Sequence, residues 1–128
     1  MSKLIIDAVD NNIFLMIISN DNIYNITHKN SKTNYDNLMV LIENFLLSKS
    51  LKLKDLRTLY INRGPGSFAG IRNSLSTAKA LHLTMGIDYY CYSFKDFREE
   101  NGVKHENIPN LCDKFNLKKN LINPVYIS

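Results

Sequence analysis

Three of the chain's five glycines and one of its three prolines fall within seven positions, Gly64-Pro65-Gly66-Ser67-Phe68-Ala69-Gly70. Arg63 and Arg72 bracket them. That density suits a backbone that turns sharply and stays uncluttered. An apolar strand-like run, Leu59-Tyr60-Ile61, enters the loop, and a helix-like run from Ile71 to Met85 leaves it. Such a junction points backbone N–H groups at one spot, a ready site for an anion. It serves equally as a tight connection that lets helix and sheet pack closely, with no ligand. The two arginines could grip a phosphate or carboxylate bidentately, or pair with an acid of this chain or of a partner. Ser67 stands in Gly-Ser-Phe and not in Gly-x-Ser-x-Gly, and no His–Asp pair is placed by sequence to activate it. No catalytic residue is assigned. Phe68, a large aromatic in a tight loop, is a core plug or an interface anchor.

Asp7 and Asp10 form the only close acidic pair at a strand end. A carboxylate there could hold Mg²⁺, or it is a turn aspartate bonded to its own backbone, which is the favoured reading. His28, His82 and His105 lack metal-ligand spacing, so no metal site is assigned. His82, single on its helix, is expected to be packed or solvent-facing. Cys91 and Cys112 show no C-x-x-C spacing and are expected to be free thiols.

At 128 residues, 45% hydrophobic and 22% charged, the chain is sized for one core and one domain. A net charge of +4 permits contact with nucleic acid without requiring it. The densest basic group, Lys49, Lys52, Lys54 and Arg57, suits a solvated helix end and loop better than an RNA patch. No apolar run approaches membrane-spanning length. Met1-Ser2-Lys3 leads directly into a strand-like run without a signal-peptide core. A cytoplasmic protein without membrane contact is expected.

The elements that must position these residues follow from periodicity. Leu4–Val9, Ile13–Ser19 and Ile23–His28 are strand-like and separated by the polar turns Asp10-Asn11-Asn12 and Asn20-Asp21-Asn22, an antiparallel meander. Asn30–Asn34 is expected to be loop. Tyr35–Ser48 shifts to helical spacing. Leu56–Asn62 is a fourth strand, Ala69–Met85 a second helix ended by Gly86, and Ile87–Tyr92 a fifth strand. Ser93 is a plausible cap for a short helix through Glu99. The pattern weakens over residues 103–123. The fold class is therefore α/β: a single ribonuclease H-like lobe of the actin (ASKHA) type. Its mixed five-stranded sheet follows the order βββαβαβ, with a short C-terminal helical tail. Residues 1–100 form the lobe and 101–128 a remnant of a second one.

The first helix is apolar over a wider arc than one sheet contact requires, which predicts a helix-pair surface. Leu38, Met39, Ile42 and Phe45 of that helix, with Ile71, Leu75, Ala78 and His82 of the second, are the candidate interface residues.

The run from Ile61 through Arg72, continued by Leu75-Ser76-Thr77-Ala78-Lys79-Ala80-Leu81, resembles the signature of the TsaB (YeaZ) family, G-P-G-S-F-T-G-[LI]-R followed by A-K-G-L. The closing Asn123-Pro124-Val125-Tyr126-Ile127 is similar to the Pro-x-Tyr-Leu-Arg ending of full-length members. The likeness covers about the first hundred residues and suggests a shortened form lacking most of the second lobe. It implies an actin-like, non-catalytic subunit that pairs through its N-lobe helices with TsaD. TsaD is the catalytic subunit that places threonylcarbamoyl on the adenosine beside the anticodon of tRNA. A TsaE-type ATPase and ATP with Mg²⁺ serve the complex, tRNA is met through it, and this chain is expected to bind no cofactor itself. When the partner is missing, the same helix surface could support a homodimer.

The departures from that pattern remove chemistry and spare the fold. Asp7-Ala8-Val9-Asp10 stands where the family has Asp-Thr-Ser, and Asn34-Tyr35-Asp36-Asn37 where it often has His-Ser-Glu. Ala69 replaces Thr and Ala80 replaces Gly. The alternative function is a stand-alone nucleotide-binding protein of the actin/sugar-kinase class. Loss of the Asp-Thr-Ser hydroxyls and the room for only one lobe tell against it. A third reading, a stand-alone RNA-binding module, predicts salt-dependent tRNA affinity without a partner.

Overall fold

The computed structural model describes residues 1–98 and 100–124. Strands β1 (Ser2–Asp7), β2 (Asn12–Ser19) and β3 (Asn22–Lys29) form the meander. Helices α1 (Lys32–Asp36) and α2 (Leu38–Ser48) lead to β4 (Leu56–Asn62). Helix α3 (Phe68–Met85), β5 (Asp88–Tyr92) and a short α4 (Ile108–Lys114) complete the chain. The sheet order is β3-β2-β1-β4-β5, antiparallel through the meander and parallel from β1 through β5. This is the expected mixed five-stranded sheet of a single ribonuclease H-like lobe with a helical tail.

The first helical region differs from the single helix expected. It begins at Lys32, inside the expected loop, because the Ser31 hydroxyl accepts from the Asn34 amide and caps the turn. It breaks at Asn37, whose side-chain amide donates to the Thr33 carbonyl at 2.8 Å and competes with helix continuation. Helix α3 starts one residue before the expected Ala69 and ends at Met85 as expected. Ser67 caps it by accepting from the Gly70 amide, and Gly86 ends it at φ 69° while donating to the His82 carbonyl.

The central strands are apolar on both faces, and both faces are covered. Leu4, Ile6, Leu15, Ile17, Leu59 and Ile61 meet α1, α2 and α3 in one core. On the other face Ile5, Met16, Tyr60 and Tyr92 meet Phe97, Ile108 and Cys112. The sparse apolar positions after residue 102 are thus the second lining of the sheet, each worth roughly 1.5–3 kcal/mol when fully buried. Ser93 does cap a short helical turn, Phe94–Phe97, with Asp96 bonding back to the Ser93 amide at 2.8 Å. Glu99, the expected end of that helix, and Val125-Tyr126-Ile127 of the closing motif lie outside the described residues.

Candidate functional site

The glycine loop joins β4 to α3 as expected, and the structure shows where its groups are used. The Gly64 amide donates to Asn62 Oδ1 at 2.9 Å, the Ser67 amide to the Val9 carbonyl at 2.8 Å, and the Gly70 amide to the Ser67 hydroxyl. These donors are committed within the chain. A Cβ on Gly66 would lie 2.4 Å from the Val9 carbonyl oxygen, and one on Gly70 only 1.8 Å from that of Ala8. The two glycines are required for space, to bring the start of α3 against the exit of β1. Positive φ is found at Gly64, at 111°, and not at Gly66. The geometry is that of close helix–sheet packing.

The bracketing arginines part company. Arg63 is largely buried; its guanidinium donates to Asp96 Oδ1 at 2.9 Å and to the Asn123 carbonyl at 3.2 Å. It ties the loop to the Phe94–Phe97 turn and to the end of the described chain. Arg72 is exposed on α3 and lies over the Phe68 ring, 5.9 Å from its centroid. Phe68 is 55% exposed and is no core plug. Pro65 is exposed, and Ser67 is spent on capping.

Asp7 has a partner that sequence spacing could not reveal. Its Oδ2 lies 2.8 Å from His105 Nε2, across 98 positions, while its Oδ1 is 3.5 Å from the Val9 amide. The His105 ring packs at 4.4 Å on Phe14 and at 5.8 Å on Phe94. The only forewarning was a lone histidine in a polar tail. Asp10 is exposed, and its carbonyl accepts from the Asn30 side chain. Among the described residues, no three His, Cys, Asp or Glu side chains are grouped to hold a metal ion. His82 is half-buried, its Nδ1 3.0 Å from the Ile87 carbonyl. Cys91 and Cys112 are buried free thiols, pushed up to about 12 by burial.

The helix residues expected to form an outward interface require correction. Leu38, Ile42, Phe45, Ile71, Leu75 and Ala78 are all buried against the sheet. Met39 packs on the edge of that core, and His82 is half-buried. Helical periodicity marks the apolar arc and does not say which part of it the sheet consumes. The large apolar side chains of these helices that do face outward are Val40 and Leu47 on α2, with Phe68, Leu83 and Met85 on α3. Leu47 is 60% and Leu83 72% exposed.

Comparison with known proteins places this arrangement. Residues 25–93, more than half of the chain, match the family described as TsaD, tRNA N6-adenosine threonylcarbamoyltransferase. The tRNA threonylcarbamoyladenosine biosynthesis protein TsaB of Buchnera aphidicola is 31% identical over 68 residues, which are 53% of this chain and 32% of that protein. YeaZ from Pseudomonas aeruginosa superposes with a TM-score of 0.66 at 15% identity, over 72% of this chain and 43% of its own. Thermus thermophilus RuvC shares the fold with a TM-score of 0.54 at 9% identity, over 90% of this chain and 80% of its own. The chain thus spans about a third of the curated TsaB and under half of YeaZ. No helix among the described residues is long and apolar enough to cross a membrane. With the Arg63–Arg72 loop, the five-stranded sheet and the matched segment in agreement, the chain belongs to the TsaB (YeaZ) family, relatives of the TsaD threonylcarbamoyltransferases.

Proposed function

We propose that this chain is a non-catalytic subunit of the tRNA threonylcarbamoyladenosine machinery that pairs with a TsaD-type catalytic subunit and activates it. The observation that carries this reading is the division of labour on α2 and α3. Their inner faces are consumed by the sheet, while Val40, Leu47 and Leu83 remain exposed on the outer layer. Exposed apolar side chains on adjoining helices suit a helix-to-helix contact with a partner subunit. The partner supplies the chemistry; ATP, Mg²⁺, a TsaE-type ATPase and tRNA belong to the complex, in the cytoplasm. A stand-alone nucleotide-binding role has less support, because the loop donors at Gly64, Ser67 and Gly70 are already used inside the chain.

Co-expression with TsaD from the same cell, followed by a tRNA-modification assay with and without this chain, tests the proposal. A stable one-to-one complex that restores modification is the expected result. Absence of a complex, with ATP or tRNA bound by the isolated chain, overturns it.

A further inference from the structure

A polar concavity lies on the far face of the sheet, near the strand starts and away from the glycine loop. It encloses about 250 Å³ and is lined by Lys3, Arg57, Thr58, Tyr60, Tyr90 and Asp113. The parallel register builds it. Lys3 on β1 stands beside Thr58 on β4, and two residues further along Tyr60 stands beside Tyr90 on β5. Same-face neighbours on adjacent strands are about 5 Å apart, so their polar ends converge. The phenol rings of Tyr60 and Tyr90 stack with centroids 5.4 Å apart and planes 9° from parallel. Helix α4 closes one side with Asp113.

The hydrogen-bonding capacity of these groups is unspent. Among the described residues, no hydrogen bond or ion pair engages the side chain of Lys3, Arg57, Thr58, Tyr60, Tyr90 or Asp113. Tyr60 is 4% and Thr58 9% exposed, yet neither hydroxyl is among the buried unpaired side-chain atoms, which in the described residues are Tyr35 Oη and Tyr92 Oη, so both open onto the cavity. Burial, with Cys112 and Asp113 adding to it, pushes the Tyr60 phenol well up from its ordinary value, so it is an O–H donor at neutral pH. Two cations and three hydroxyls face one carboxylate, and the balance favours an anion with several acceptor oxygens.

We propose that this cavity is a binding site for a phosphate-class oxyanion, held by the Lys3 ammonium and the Arg57 guanidinium and oriented by the Thr58, Tyr60 and Tyr90 hydroxyls. Asp113 opposes the anion and sets a moderate affinity, suited to an ion that exchanges. Free phosphate and the phosphate of a nucleotide share this chemistry.

The test uses the full chain, with inorganic phosphate titrated at constant ionic strength and followed by amide chemical shifts and by melting temperature. Saturable binding is expected, with shifts at Lys3, Thr58, Tyr60 and Tyr90. K3Q combined with R57Q weakens it about tenfold or more, and Y60F about threefold. D113N tightens it, by about two- to fivefold, because a like charge is removed. K79Q, on the opposite face of the sheet, leaves it unchanged. If adenosine 5′-monophosphate competes more tightly than inorganic phosphate, the oxyanion is a nucleotide's; if less tightly, it is the free ion. Absence of saturation up to about 50 mM phosphate, unchanged affinity in the K3Q/R57Q protein, or weaker binding in D113N overturns the assignment. Y60F removes only the hydroxyl that opens onto the cavity and D113N is nearly isosteric, so the result survives if the double variant folds poorly.

Discussion

Gly70→Ala is the sharpest perturbation of the α3–β1 junction. The added Cβ would sit 1.8 Å from the Ala8 carbonyl oxygen and 2.9 Å from its carbon, both backbone atoms that no rotamer change can move. The helix start must therefore retreat by roughly an ångström or more to restore ordinary contact. Retreat stretches the 2.8 Å bond from the Ser67 amide to the Val9 carbonyl, a loss of about 1 kcal/mol. It also shifts the buried Ile71 and Leu75 against the sheet, and overpacking of that kind costs about 1–3 kcal/mol. Better helix propensity of Ala returns about 1 kcal/mol. The net expectation is a loss of about 1–3 kcal/mol, read by urea denaturation at 222 nm, with melting lowered by about 4–12 °C. Gly86→Ala is the control: its φ of 69° is strained for Ala, but nothing lies within 4 Å of the new Cβ, so it costs about 1 kcal/mol. A Gly70→Ala protein within about 0.5 kcal/mol of wild type would refute the close-packing account; so would a Gly86→Ala protein that loses more.

Leu83→Glu and Leu47→Glu should abolish co-purification with TsaD while leaving melting within about 0.5 kcal/mol of wild type, whereas Phe45→Glu should unfold the chain. Retained complex in both surface variants would remove α2 and α3 from the interface. His105→Ala should cost about 1–2 kcal/mol through lost contact with Asp7, Phe14 and Phe94, and should speed proteolysis within residues 100–117; an unchanged cleavage pattern would show that His105 does not hold the tail. Cys91 and Cys112 are held protonated in the fold, so the unfolded chain releases those protons first as pH rises. Their stabilising contribution is complete below pH 9 and is lost between about 9 and 12, so alkaline stability should fall more gently in Cys91→Ala. Parallel curves for the two proteins would contradict this, as would thiol labelling of the native chain at pH 8.

The strands, their order and α3 were legible because each carries its own local signal. Alternation and β-branched residues mark β1, β2 and β4, and Ser67 and Gly86 punctuate α3. What was not legible depends on contacts distant in the chain. Leu38 and Phe45 have the same apolar character whether a sheet or a partner covers them, and the sequence does not say that it is the sheet. The start of α1 lay in a polar stretch, where only the Ser31 cap distinguishes helix from loop. The tail showed little periodicity because α4 is only seven residues long, too short to repeat its pattern, and its few apolar residues face the sheet at Ile5, Met16 and Tyr60. Gly66 and Gly70 stand out in the sequence, yet the reason for them lies in Val9 and Ala8, about sixty positions upstream.

The strand order also sets a timetable for biosynthesis. β1 is made first and ends as the middle of the sheet, with β2 on one side and β4 on the other. β2 follows at once, but Leu59, which pairs with Leu4, leaves the ribosome about 55 residues later, a delay of roughly 3–11 s at ordinary elongation rates. Through that interval the nascent meander carries an open, apolar central strand, Leu4-Ile5-Ile6, unpaired along one side. An unprotected edge of that composition invites pairing with neighbouring chains. Slow codons between β3 and β4 would lengthen the exposure, and chaperone demand during expression should track that stretch of the message more than the stability of the finished fold.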